Sequence, residues 1–73
     1  MKSIDADYYN RYEIMKAAEE AGVDQDDPNW KCLTDRQKWA VIAEFNGQNF
    51  FKKINLDYSM KTQEEIVLKV LKG

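Results

Sequence analysis

The chain has 73 residues, of which 44% are hydrophobic and 33% charged, with a formal net charge of −2. That is the length of one small domain, 1–73, with enough apolar material to argue against a disordered polymer. It contains no histidine and a single cysteine, Cys32, which removes imidazole chemistry, the commonest transition-metal ligand and any internal disulfide.

The first predicted element is a helix over 5–21. Ile4, Tyr8, Tyr12, Met15 and Ala18 recur at spacings of three and four and form its stripe. Asp5 and Asp7 suit the positive end of the helix dipole. Ala21-Gly22-Val23 reads as a stop, with Gly22 left-handed and Val23 folding back onto Ala18. Residues 24–29, Asp-Gln-Asp-Asp-Pro-Asn, read as a loop, because three acids and a proline suit neither helix nor strand. Trp30 to Leu33 is then expected to run extended, with Trp30 and Cys32 on one side.

The middle, 34–58, supports two readings. In the helical one, Thr34 and Gln37 form a capping box, Gly47 ends the helix, and Asn49 to Ile54 makes a short further one. In the other, Asn46-Gly47 is a type I′ turn between two strands. Ala43 then pairs with Phe50, Val41 with Lys52 and Trp39 with Ile54. One sheet face carries Trp39, Val41, Ala43, Phe45, Phe50, Ile54, Leu56 and Tyr58, and Ile54 to Tyr58 alternates as a half-buried strand does. Agreement between turn and facial pattern favours the hairpin. The last element, 62–72, is a helix opened by a Thr62/Glu65 capping box, with Ile66, Val67, Val70 and Leu71 apolar and Lys69 and Lys72 in its final turn. The expected fold is therefore α+β: N-terminal helix, β-hairpin with a possible third strand, C-terminal helix. The alternative is an all-α bundle of three or four helices.

Chemistry is hard to assemble from these residues. Nucleophilic catalysis lacks a histidine base, and Cys32 reads as a small apolar residue. Gly22, Gly47 and Gly73 are too scattered for a phosphate loop. Glu19/Glu20 and Glu64/Glu65 are adjacent on helices and diverge into solvent. Asp24 to Asn29 resembles the start of a calcium-binding loop but fails at its sixth, eighth and twelfth positions, Asn29, Lys31 and Asp35. No enzyme, metal or cofactor is expected. A helix-turn-helix placed on 39–58 breaks its own apolar positions at Asn46, Gln48 and Lys53, and Glu64 and Glu65 would face phosphates.

Binding is the remaining class. Residues 1–29 carry three bases and eight acids, whereas residues 30–73 carry eight bases and five acids, a split that can orient a partner. Aromatic residues are abundant, and Tyr9 lies about 100° from Tyr8 around the helix, so one of them should reach solvent. The favoured function is a small protein-binding module, a regulator or inhibitor docking on a larger protein. Its expected contacts are Tyr9, Trp30 and Phe51, steered by Asp24, Asp26 and Asp27. The alternative is single-stranded nucleic-acid binding on the second sheet face, through Lys31, Arg36, Lys38, Phe51 and Lys53. A weak homodimer through the same apolar surface is compatible with either. The N-terminus has no apolar leader core and no run reaches membrane-spanning length, so a cytoplasmic protein without membrane contact is expected.

Overall fold

A computed structural model describes residues 11–55 and 60–73 of the chain. The predicted start of the first helix, with Tyr8, Tyr9, Asp5 and Asp7, lies outside those residues, as do Leu56 and Tyr58. Four helices follow one another: α1 (Arg11–Ala21), α2 (Pro28–Lys31), α3 (Asp35–Lys53) and α4 (Gln63–Lys72). No strand occurs among the described residues, so the α+β expectation is wrong and the all-α alternative holds.

α1 stops where the sequence says it should. Gly22 sits at φ 91°, Val23 N–H donates to Ala18 O at 2.9 Å and Gly22 N–H to Glu19 O at 3.2 Å. This pair of bonds is the Schellman cap, closed by packing of buried Val23 near buried Ala18. The buried stripe, however, is Ile14, Ala18 and Ala21, whereas Tyr12 and Met15 face solvent. The element was legible and its inward face was not, because Ile14-Ala18-Ala21 satisfies the same three-and-four spacing one register round.

The loop expected over 24–29 and the extended Trp30–Leu33 segment are both replaced by a helical turn. Asp27 caps α2, its Oδ1 accepting from Asn29 N–H at 3.0 Å. Pro28 occupies the first helical position, where its missing N–H matters least. One turn on, Trp30 is driven into the interior, where only 3% of its surface remains exposed.

α3 opens with the Thr34/Gln37 capping box, Thr34 Oγ1 accepting from Gln37 N–H at 3.1 Å and Gln37 Oε1 from Thr34 N–H at 2.9 Å. It then runs straight through Asn46-Gly47 for 19 residues to Lys53, with Ile54 as its C-cap and Asn55, at a φ of 59°, turning the chain out of the helix just beyond. The hairpin fails because the inward residues follow the helical period. Val41, Ile42 and Gln48 are buried and Phe45 packs beside them, while Ala43 and Phe50 point away. Burying that 3.6-residue face outweighs a local turn preference. A consequence can be measured. A Cβ at Gly47 would meet nothing within 4 Å, so Gly47→Ala should stabilise the protein by about 0.5–1 kcal/mol in urea unfolding. A type I′ turn would give the opposite sign.

α4 has the expected box: Thr62 Oγ1 accepts from Glu65 N–H, and Glu65 Oε1 from Thr62 N–H, both at 3.3 Å. Ile66 and Val67 are fully buried. α3 is the central helix, with α1 and α4 packed against it and α2 against α4. The core joins Ile14, Ala18, Val41, Ile42, Ile66 and Val67 to Trp30 and Leu33 from the α2 segment.

Side-chain amides fasten the connections. Gln48 gives Nε2 to Lys61 O at 3.2 Å and takes Lys61 N–H on Oε1 at 2.7 Å. Gln63 does the same to Asp24, accepting its N–H at 2.7 Å and donating to its carbonyl at 2.9 Å. Asn49 Nδ2 caps the Ala21 carbonyl at 3.0 Å, satisfying an otherwise open acceptor at the end of α1.

Candidate docking surface

The sequence-predicted contacts are not gathered on one surface. Trp30, expected as an exposed anchor, is a core residue. Its reassignment follows from α2, which turns the ring inward. Phe51 is half-buried near the C-terminal end of α3, and its ring meets that of Phe50 edge-on at 6.0 Å. Tyr9 lies outside the described residues. Of the acids, Asp24 and Asp27 build the chain's own turn. Asp24 Oδ1 accepts from Asp26 N–H at 3.1 Å, and Asp27 uses one carboxylate oxygen for the α2 cap and the other for Gln63 Nε2 at 3.3 Å. Asp26 is exposed.

The nucleic-acid set disperses once the sheet is gone. Lys31 and Lys38 border a cleft at the α1–α2–α3 junction, Arg36 lies on the outer side of α3, and Phe51 and Lys53 sit at its far end. Lys38 and Lys53 are fifteen residues apart on one helix, roughly 22 Å at 1.5 Å per residue. A sheet face of interleaved bases and aromatics does not exist among the described residues.

The cleft itself has a volume of about 260 Å³ and brings Arg11 together with Lys31 and Lys38 opposite Asp35. The Lys38 ammonium stands 5.6 Å from the centroid of the Trp30 ring, a cation–π contact that fixes it at the rim. Three cations against one carboxylate attract anions. Arg11 and Lys31 are exposed, however, so salt screens them and the attraction is diffuse rather than directed. Among the described residues no group of three or more Cys, Asp or Glu side chains converges to hold a metal, and no helix is long and apolar enough to cross a membrane.

A different surface emerges on α3. Its solvent side carries Ala40, Ala43, Gly47 and Phe50, continued by Ile54 at its C-cap, at successive spacings of three, four, three and four, with exposed Arg36 four residues before them on the same line. At 100° per residue these five positions fall within about 80° of arc, opposite the buried Val41–Phe45 face. Phe50 is 57% exposed and Ile54 51%, with Ala40 and Ala43 also exposed and open space above Gly47. This is a heptad seam with nothing in the described chain covering it. The Glu44–Lys69 ion pair, 2.8 Å, ties α4 beside it, and Leu68 and Leu71 add half-exposed apolar surface on α4.

Sequence reasoning missed the seam although its signal was present. Reading Asn46-Gly47 as a reversal cut the heptads in two and sorted their members by a period of two. Comparison with family models, with curated proteins and with solved structures gave no match.

Proposed function

We propose that this chain is a protein-docking module, a regulator or inhibitor without chemistry of its own, that engages its partner through the outer face of α3. One observation carries the reading: a contiguous heptad seam ending in two large apolar side chains, Phe50 and Ile54, each with more than half its surface in water. Scattered apolar exposure is ordinary, but a patch aligned along 15 positions of one helix matches the way amphipathic helices enter grooves or pair with other helices. Cys32 is a free, exposed thiol, which suits a reducing compartment such as the cytoplasm.

Site-specific photo-cross-linking in native extract tests the proposal. A benzoylphenylalanine at Phe50 should give discrete protein adducts, and the same probe at exposed Glu19 on α1 should give none. No adduct from position 50, or equal labelling from both positions, would remove this function.

A further inference from the structure

We propose that Asn46-Gly47 is a latent self-modification site, an asparagine that α3 keeps inert and that converts to isoaspartate once the helix opens, barring the chain from its fold. The proposal stands apart from the docking reading and needs no reactant except water. Asparagine occurs at positions 10, 29, 46, 49 and 55, and only Asn46 precedes a glycine. The others precede Arg11, Trp30, Phe50 and Leu56. A backbone nitrogen without a Cβ beside it is the least hindered nucleophile that a chain offers. The carboxamides also differ in engagement. Asn49 is held on the Ala21 carbonyl at 3.0 Å, whereas Asn46 is exposed.

The chemistry is intramolecular. The Gly47 backbone nitrogen gives up its proton to solvent and attacks the side-chain amide carbon of Asn46. That bond closes a five-membered succinimide, and the side-chain nitrogen takes a proton from water and leaves as ammonia. Water then opens the ring. Attack at the former side-chain carbonyl gives ordinary aspartate. Attack at the main-chain carbonyl leaves the backbone running through Cβ, which is isoaspartate. Nothing is oxidised or reduced.

α3 blocks the first step. A helical ψ at position 46 holds the Gly47 nitrogen out of line with the side chain, and its N–H is committed to the carbonyl one turn back. Position 46 lies between buried Ile42 and buried Gln48. Freeing it therefore requires the core contacts on both sides to open, which places the reaction in the largely unfolded chain.

The product cannot rebuild the helix. Each helical hydrogen bond closes a 13-atom ring, and isoaspartate adds one main-chain atom to every ring that spans position 46. Gln48 is then turned away from the interior it shares with Val41 and Ile42, and its clasp on Lys61, at 3.2 and 2.7 Å, is lost. Time spent unfolded is thus recorded irreversibly in the chain.

The full chain is incubated in mildly alkaline buffer below its melting transition, with guanidinium chloride from none to fully denaturing. Peptide mass spectrometry reads position 46, where conversion adds about one dalton, and chromatography separates isoaspartate from aspartate. The folded protein should react about tenfold or more slowly than the denatured one, and intermediate rates should follow the unfolded fraction seen by circular dichroism. Gly47→Ala should slow the reaction severalfold even in denaturant, because a Cβ then crowds the attacking nitrogen. After dilution, the aspartate product should refold like Asn46→Asp, and the isoaspartate product should not recover the helical spectrum. Equal rates in folded and denatured protein would overturn the protection by α3. No conversion at position 46 in denaturant, or isoaspartate chains that refold with the wild-type midpoint, would overturn the proposal itself.

Discussion

Trp30→Ala should lower the unfolding free energy by about 3–5 kcal/mol, the usual loss for a large aromatic removed from a core. The indole is 3% exposed and packs with Leu33 into the interior shared by α1, α3 and α4. A small domain has only about 5–15 kcal/mol of stability to lose, and 73 residues place this chain toward the low end. The variant should therefore be substantially unfolded near its growth temperature. Urea titration followed by circular dichroism measures it. Trp30→Phe, which keeps most of the volume, should recover most of the difference. A loss below about 1 kcal/mol for Trp30→Ala, the range of a surface change, would mean that the ring is not in the core and that α2 does not form as described.

Ile42→Asp should be more severe still. Ile42 is 2% exposed on the inward side of α3, and no basic side chain lies in the core cluster around it. An uncompensated carboxylate at such a place costs several kcal/mol, on top of the lost apolar burial. The protein should lose its cooperative transition entirely, whereas Ile42→Val should cost only about 0.5–1.5 kcal/mol. The same substitution separates the two folds that the sequence allowed. On a hairpin, Ile42 belongs to the face shared with Lys38 and Lys53, where an aspartate would be accommodated. A folded, cooperative Ile42→Asp protein would count directly against α3 as a continuous helix.

How much was readable in the sequence depended on whether the deciding interaction was local. The Gly22 cap, the Thr34/Gln37 box and the Thr62/Glu65 box are all settled within six residues of chain, and each appears in the structure with the expected donors and acceptors. Asn46-Gly47 is a local signal too, but its outcome is decided by burial. Val41, Ile42, Phe45 and Gln48 must face one interior together, and only a helix lets them. Asp27-Pro28 carried a recognisable cap and first-turn pair, yet beside Asp24 and Asp26 it read as a breaker, so the helical turn that buries Trp30 was not anticipated. The docking seam suffered the same error as its helix. The partners of Gln48, Gln63 and Asn49 are backbone groups 13, 39 and 28 residues away. No spacing rule reaches across such separations, because those meetings exist only after the helices have packed.

Those carboxamide fastenings set how the molecule responds to its medium. Gln48 and Gln63 each copy the donor–acceptor pattern of a peptide group and clasp one backbone unit on both its atoms. An amide has no charge for counter-ions to mask and does not ionise across the biological range. The placing of α4 and of the acidic turn should therefore survive brine that dissolves the Glu44–Lys69 pair. The frame is indifferent to electrolyte even where the recognition it supports is not.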